Sequence, residues 1–272
     1  MKKMLIMLGI CVLCLPVALF RPAMAADKPV NRDQLANMIR QVLRDDPNIV
    51  LDILRENSEL VLDIAQQGSN QRRLKVLSAQ WKRDLDVPKP VTLANRPIRG
   101  NADAPVTIVA FSDFTCPYCT QSAQFISALM RDNPEKIRMV FKHFPLPGHK
   151  SARLAAEYHV AAAMQSPEKA WDLYDLMFEQ GERLNEEGET LLKRLAGEAG
   201  LDMKKLASDL RGNAAKIKFV IEEDIADAKQ LGLQGTPNFL VNNLIVRGAL
   251  APELFNQAVN MAYEHSRNRV SP

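Results

Sequence analysis

An apolar run that leads into a C-x-x-C pair constrains the fold of this chain more than any other feature. The run Val106–Phe111 has the β-branched and aromatic composition of a buried strand, and the tetrapeptide CPYC follows it after a short loop. Because proline suits the first position of a helix, this order predicts a helix that begins at Pro117 with Cys116 as its N-cap. The Cys116 sulfur would then face free N–H groups of the first turn, which stabilise a thiolate.

The roles of the two cysteines follow from this placement. Cys119 lies three residues further along the same helix face, so we assign Cys116 as the attacking thiol and Cys119 as the resolving thiol. Pro117 and Tyr118 form the active-site loop between them. An inert disulfide would close too small a loop to stabilise the fold, and a zinc site usually needs four ligands. We therefore predict a catalytic redox pair and no metal site.

The first 25 residues have the layout of a secretory signal peptide. Two lysines precede an apolar run over residues 4–20, and a small-residue cleavage site, Ala-Met-Ala, ends at Ala25. A second C-x-x-C pair, Cys11 and Cys14, lies inside this leader and would be removed with it. We therefore expect an exported protein of the periplasm that keeps two of its four cysteines, a pattern typical of redox proteins.

Charge and composition exclude several other classes. The chain has 35 basic and 32 acidic residues, and three of the basic ones lie in the leader, so the remainder is formally neutral. A neutral chain lacks the basic field that nucleic acid attracts. The 47% hydrophobic and 25% charged residues are typical of soluble globular domains. Past the leader, no apolar run approaches the ~20 residues of a membrane span.

The chain divides into a helical N-terminal region and a domain that contains strands. Residues 33–85 show helical periodicity, and a proline-bearing linker follows, so we place the boundary near residue 95. Within this region, residues 57–64 echo residues 46–53. The echo fits either two short helices or one helix whose apolar stripe repeats every eleven residues. These apolar side chains could pack on the main domain, but we expect them to form a homo-oligomer through residues 33–85.

The pattern beyond the cysteines alternates in type. After the helix that begins at Pro117 we expect a strand at residues 137–141 and a helical block over residues 151–231. The runs 239–241 and 244–246 flank Asn242-Asn243 and predict a hairpin with a two-residue turn. A last helix should begin at Pro252. This order indicates an α/β fold.

Three stretches of the sequence resemble the DsbA-like branch of the thioredoxin superfamily. They are GNADAP at 100–105 followed by VTIVAFSDFTCPYC, FPL at 144–146 with His149 and Ala152, and LGLQGTPNF at 231–239. Together they cover about residues 96–265, and the CPYC pair and helical extension are most similar to the Com1 and ScsC (copper-sensitivity suppressor) group. The resemblance implies a thioredoxin fold over residues 96–272 with a helical insertion at about 150–231. An all-helical extension and linker at 26–95 precedes it.

The resemblance also assigns residues outside the C-x-x-C pair. It implies that Thr236 and Pro237 form a cis-proline loop that faces the cysteines and binds substrate. It leaves His149 with two roles, a helix-entry residue that packs on a loop or a substrate contact. Many relatives carry a buried acid six residues before the first cysteine, where this chain has Ala110. Water or Asp113, which we expect nearer the surface, would then accept the proton of the resolving thiol.

The function implied is that of a periplasmic thiol–disulfide oxidoreductase. It would exchange disulfides with exported proteins, be recycled by a membrane redox partner, and need no cofactor beyond the Cys116–Cys119 disulfide. Oxidase and isomerase activity stay open, because they differ in redox poise and not in residues. Two alternatives remain. One is a copper-tolerance protein that binds Cu(I), a soft ion suited to thiolates, through the same pair. The other is a structural protein associated with the outer membrane.

Overall fold

The computed structural model of the protein describes residues 31–270. The predicted signal peptide, with Cys11 and Cys14, lies outside the described residues. Contacts between Cα atoms divide the chain into two compact units, Met1–Ile64 and Ala65–Pro272. This division falls about thirty residues before the boundary that we drew near residue 95.

Three helices follow one another from residue 32. They are α1 (Arg32–Asp45), α2 (Asn48–Glu56) and α3 (Ser58–Asp84). Asn31 begins α1 with a capping box, in which its side chain accepts from Gln34 N and Gln34 caps it in return. The chain breaks between α1 and α2 at Pro47, which cannot donate a helical hydrogen bond. The two copies of the echo lie in α2 and at the start of α3, which are separated at Asn57, so they belong to separate helices and not to one continuous stripe.

A five-stranded sheet organises the second unit. Its strands are β1 (Ile98–Gly100), β2 (Val106–Ser112), β3 (Ile137–His143), β4 (Asn238–Val241) and β5 (Leu244–Arg247), in the order β1-β3-β2-β4-β5. The central pair β2 and β3 is parallel, and the other neighbours are antiparallel. All four strands that we predicted are present. The sequence did not reveal β1, because three residues are too few to show alternation.

The predicted helical insertion separates β3 from β4. It consists of α5 (Ala152–Ala163), α6 (Pro167–Glu179), α7 (Gly181–Glu187), α8 (Glu189–Glu198), α9 (Met203–Gly212) and α10 (Ala214–Gln230). Helix α4 (Pro117–Asp132) connects β2 to β3, and α11 (Pro252–Val270) ends the described chain. The thioredoxin fold with a helical insertion and an N-terminal helical region is therefore confirmed. No helix within residues 31–270 is both long and apolar enough to span a bilayer.

Alternation along β2 produces two cores. Ile108 and Ala110 belong to the larger apolar cluster, which includes residues of α4, α11 and the insertion. Val109 and Phe111 point to the opposite face and join a smaller cluster with Leu233. Because successive strand residues face opposite sides, a strand covered on both faces is apolar throughout, which is why the run before the cysteines is continuous.

The end of α3 packs into the second unit. Trp81 is fully buried, and its indole N–H donates to the carbonyl of Ile245 in β5 at 3.0 Å. Asn243 in the hairpin turn also donates to the carbonyl of Leu85 at 2.7 Å. Because β5 is an edge strand, these contacts protect its exposed backbone. They explain why residues 65–95 group with the strand-bearing unit, although we had assigned them to the helical extension and linker.

Candidate active site

The junction between β2 and α4 places the first cysteine at the start of a helix. Cys116 is the N-cap, with φ −88° and ψ 122°, and Pro117 is the first helical residue, as predicted. The carbonyl of Cys116 accepts from the N–H groups of Cys119 and Thr120 at 3.0 and 3.1 Å. Its sulfur makes no conventional cap hydrogen bond. The N–H groups of Cys119 and Tyr118 nevertheless lie close enough to lower its pKa.

The two thiols differ strongly in acidity. Both are buried and unpaired, with 5% of Cys116 and 1% of Cys119 exposed. The hydrogen bond from the Cys119 thiol, against the opposing effect of burial, lowers the pKa of Cys116 from 9.0 to about 5, and the Thr236 side chain adds to this. Burial, and then the hydrogen bond to Cys116, raises the pKa of Cys119 far above its ordinary range. At neutral pH, Cys116 is therefore a thiolate and Cys119 a thiol, in agreement with the roles that we assign.

The loop before β4 faces this pair. The Thr236–Pro237 peptide bond is cis, as the resemblance implied, and the Cys116 sulfur lies 3.7 Å from the Thr236 carbonyl oxygen, to which it donates only when it is protonated. The Thr236 hydroxyl is buried without a hydrogen bond to any oxygen or nitrogen. It instead lies close enough to the sulfurs of Cys116 and Cys119 to lower the pKa of each. We had assigned Thr236 to substrate binding and did not predict a role for its hydroxyl. The signal available in the sequence was a threonine directly before the proline.

Asp113 is buried, and our expectation that it lies nearer the surface is wrong. Its side chain is 0% exposed, and Oδ1 accepts from the N–H and hydroxyl of Thr115 at 2.9 and 2.7 Å. Oδ2 accepts from Leu146 N at 2.9 Å and from His149 Nδ1 at 2.8 Å. Those two donors belong to the loop after β3. The sequence shows neither how closely that loop approaches nor that it covers the carboxylate.

His149 is the outer member of this pair. Its side chain is 28% exposed, and it joins the active-site loop through Asp113. Packing on a loop, one of the two roles left open, is therefore observed in the form of a hydrogen bond to the buried Asp113 carboxylate. A contact between His149 and substrate stays a prediction.

The insertion also touches the active-site loop. Asn185 in α7 donates to the carbonyl of Thr115 at 3.4 Å. A Cβ atom added at Gly181 would lie 3.0 Å from the carbonyl oxygen of Phe114 and from the hydroxyl of Thr120. Only glycine permits so close an approach, and nothing in the local sequence around Gly181 indicated it.

A buried charge cluster adjoins the site on β3 and α10. Lys142 is 0% exposed and pairs with Asp227 and, at 3.1 Å, with Asp224. Asp224 also accepts from Arg96 at 2.8 Å and from His143 Nδ1 at 2.8 Å. Burial alone would raise the pKa of Asp224, but the hydrogen bond from His143 and the neighbouring positive charges lower it to about 2. The cluster anchors α10 to β3, and its only signal in the sequence is weak, a lysine and a histidine that end an apolar strand.

The described residues show no built metal centre. Across residues 31–270, no group of three or more histidine, cysteine, aspartate or glutamate side chains is arranged to hold a metal ion. Any metal at this site would rely on Cys116 and Cys119 alone.

Comparisons with known proteins agree with this geometry. A family model described as thioredoxin matches residues 92–261. A thioredoxin-like oxidoreductase from Silicibacter pomeroyi is 29% identical, with a TM-score of 0.54 over 63% of this chain and 94% of that one. ScsC from Proteus mirabilis is 18% identical, with a TM-score of 0.55 over 85% of this chain and 96% of its own, and it shares the fold. These matches confirm the resemblance read from the sequence.

Curated relatives match over part of their length. The Na(+)/H(+) antiporter NhaA 3 from Salinispora tropica is 31% identical over 199 residues. The match covers 73% of this chain and 29% of the antiporter, so the chain spans less than a third of the length of that relative.

Proposed function

The chain belongs to the thioredoxin family, and on this premise we propose that it is a thiol–disulfide oxidoreductase that exchanges disulfides with exported proteins in the periplasm. The observation that carries the proposal is the split acidity of the two cysteines, with the pKa of Cys116 lowered to about 5 and that of Cys119 raised. Two buried cysteines without a redox function are not expected to differ in pKa in this way.

The exchange proceeds through a mixed disulfide. In the oxidising direction, a substrate thiolate attacks the Cys116 sulfur of the Cys116–Cys119 disulfide, and Cys119 leaves and takes up a proton. A second substrate thiolate then attacks the substrate sulfur, and Cys116 leaves as a thiolate. The substrate loses two electrons to the protein, which is then reoxidised by a membrane redox partner. In isomerisation, the reduced Cys116 thiolate attacks a wrong substrate disulfide and is later expelled unchanged.

The low pKa of Cys116 supports disulfide donation or isomerisation over reduction. A thiolate that is stable at neutral pH is a good leaving group, and its stabilisation favours the reduced protein and so raises the reduction potential. Cys119 stays protonated because burial raises its pKa, so it does not compete as a nucleophile. Oxidase and isomerase share this requirement and differ in redox poise, and we propose that assembly state also distinguishes them.

We also propose that the protein self-associates through an N-terminal apolar surface. In α1 a stripe at helical spacing is at least half exposed, formed by Leu35, Met38, Ile39 and Val42. The surface continues along α2 and the start of α3 with Ile49, Val50, Ile53, Leu54, Leu60 and Ile64, all exposed. Leaving this many aliphatic side chains in water is unfavourable, so a second copy of the chain is the occupant that we propose. Several Cys116 thiolates in one assembly would suit the repeated attack that isomerisation needs.

Point variants on α1 test the self-association. Ile39→Glu introduces a charge into the apolar stripe, whereas Asn37→Glu introduces the same charge at an exposed polar position of α1. Light scattering should show an oligomer for the wild type and for Asn37→Glu, and a smaller species for Ile39→Glu. A monomeric wild type at tens of micromolar would refute this part of the proposal.

Copper binding by the same pair is the competing function. Cu(I) prefers thiolate ligands, but binding through both cysteines requires both to lose their protons. The raised pKa of Cys119 opposes the second deprotonation. We therefore rank copper binding behind disulfide exchange.

Two assays on the protein without its leader test the proposed function. Oxidation of a reduced protein substrate measures disulfide donation, and reactivation of a scrambled one measures isomerisation. Cys116→Ser should abolish both activities. Stoichiometric tight binding of Cu(I) without turnover in either assay would favour copper binding and refute disulfide exchange.

A further inference from the structure

The Asp113 carboxylate joins two loops at the active-site end of the sheet. β2 and β3 are parallel, so the loops that follow them emerge at the same edge. Oδ1 of Asp113 holds its own loop through Thr115, and Oδ2 holds the loop after β3 through Leu146 N and His149 Nδ1. All four contacts are 2.7–2.9 Å long, so the buried carboxylate is saturated with donors.

The backbone of the same residue holds both cysteines. The Asp113 carbonyl accepts from Cys116 N at 3.2 Å. Its own N–H lies close enough to the Cys119 sulfur to lower the pKa of that thiol. One residue therefore fixes the turn before the N-cap through its side chain and touches the two reacting residues through its main chain.

His149 completes this arrangement from the surface side. Because a carboxylate can only accept, His149 Nδ1 carries the proton of the hydrogen bond to Asp113. The other ring nitrogen, Nε2, has no hydrogen-bond partner in the described part of the chain, and the side chain is partly exposed. If His149 were absent, the buried Asp113 side chain would have one hydrogen-bond donor fewer, which favours an opening of the loop.

We infer that Asp113 and His149 form a positioning pair, in which His149 holds the Asp113 carboxylate and Asp113 holds the backbone that aims both sulfurs. The inference rests on the proposed function for its effect on exchange rates, whereas its effect on the thiols can be measured without any substrate. It gives a role to the only acid near the cysteines in sequence, in a chain that has Ala110 where relatives carry a buried acid.

Two substitutions at His149 separate positioning from direct contact with substrate. His149→Ala removes the donor to Asp113. His149→Asn keeps a side-chain N–H near the place of Nδ1 and lacks the second ring nitrogen. Asp113→Asn leaves one acceptor oxygen in place of two, so the side chain can no longer accept from both loops, and Lys150→Ala serves as an exposed control in the same loop.

The first measurement is the pKa of Cys116, obtained from the alkylation rate of the reduced protein as a function of pH. The second is the rate constant for resolution of a mixed disulfide with a model peptide. In His149→Ala we expect a higher pKa of Cys116 and about tenfold slower resolution, the effect of losing one hydrogen bond to a charged group, and Asp113→Asn should slow resolution by a similar factor. His149→Asn and Lys150→Ala should stay within about twofold of the wild type in both measurements.

Several outcomes would overturn the inference. If His149→Asn resolves as slowly as His149→Ala while the pKa of Cys116 is unchanged in both, then His149 acts on substrate through Nε2. If every variant matches the wild type, then the pair has no effect on the cysteines. A wild type without exchange activity would refute the proposed function, yet the alkylation series would still decide whether the pair positions Cys116.

Discussion

Replacing Thr236 with valine should raise the pKa of Cys116 and make the protein a weaker oxidant. Valine has nearly the shape of threonine but lacks the hydroxyl, which is buried with the two sulfurs as its polar neighbours. The carbonyl of Thr236, which accepts from the Cys116 thiol at 3.7 Å, is unaffected by the change. The substitution therefore tests what the Thr236 hydroxyl contributes to the stability of the Cys116 thiolate.

The magnitude follows from the worth of a hydrogen bond to a charged group. Such a bond contributes about 1.5–3 kcal/mol, and one pKa unit corresponds to about 1.4 kcal/mol, so the pKa of Cys116 should rise by about one to two units. The reduced protein loses the same stabilisation, which makes the reduction potential about 30–60 mV more negative. The effect has a definite pH window. Below a pH of about 5 the wild-type Cys116 is itself protonated, and the two proteins should converge.

The assay is the ultraviolet absorbance of the thiolate, titrated against pH in the reduced protein, together with redox equilibration against glutathione. Thr236→Ser keeps a hydroxyl and is the matched control, expected to stay close to the wild type. An unchanged pKa in Thr236→Val would refute the reasoning, because the hydroxyl would then contribute nothing to the thiolate. A lower pKa of Cys116 in Thr236→Val would show that, in the wild type, threonine raises this pKa by desolvation more than its hydroxyl lowers it.

Three further predictions concern the reacting thiols, the buried charges and Trp81. Cys119→Ala should accumulate mixed disulfides with substrate, which mass spectrometry detects. It should also raise the pKa of Cys116, measured by alkylation, because the Cys119 thiol is the largest factor that lowers this pKa. Faster turnover in Cys119→Ala would contradict the assignment of Cys119 as the resolving thiol. Lys142→Met should lower the free energy of unfolding by about 3–5 kcal/mol in urea, because Asp224 and Asp227 lose the buried ammonium group that pairs with both. Lys193→Met, which breaks only an exposed pair with Glu189, should leave the urea midpoint unchanged, and equal midpoints for the two variants would refute the argument. The pKa of Asp224 is lowered in the folded state, so the ionised carboxylate stabilises the fold fully above the unfolded pKa of about 4. This stabilisation is lost as the pH falls through about 2. An Asp224→Asn variant should lack this component of acid unfolding. Trp81→Ala should destabilise the protein by about 3–5 kcal/mol, whereas a loss near zero would show that α3 is dispensable to the second unit.

Features that depend on short stretches of chain were accessible from the sequence. The strand before the cysteines, the helix that begins at Pro117 and the hairpin around Asn242 each follow from alternation, from proline geometry or from turn chemistry within about ten residues. The position of Cys116 at the helix start, and so the direction of its pKa shift, belongs to the same class, because the donors are its own next neighbours. The resemblance added the cis loop at Pro237, which lies 121 residues after Cys116 in the chain.

Features that depend on what approaches from elsewhere were decided by the tertiary structure. Asp113 became buried because Leu146 and His149 cover it, although the sequence suggested an acid near the surface. Trp81 joined the second unit because its indole reaches the edge strand β5, more than 160 residues away.

The sign of an electrostatic effect also required the tertiary structure. The sequence named Cys119 as the resolving thiol, but the rise of its pKa comes from burial, and burial is a property of the packed core. The acid strength of Asp224 is likewise set by His143 and Lys142 of β3 and by Arg96, which come from two segments distant in sequence from α10. Hydrogen bonds and charges act over a few ångströms in space, so local sequence fixes them only where chain neighbours are also spatial neighbours.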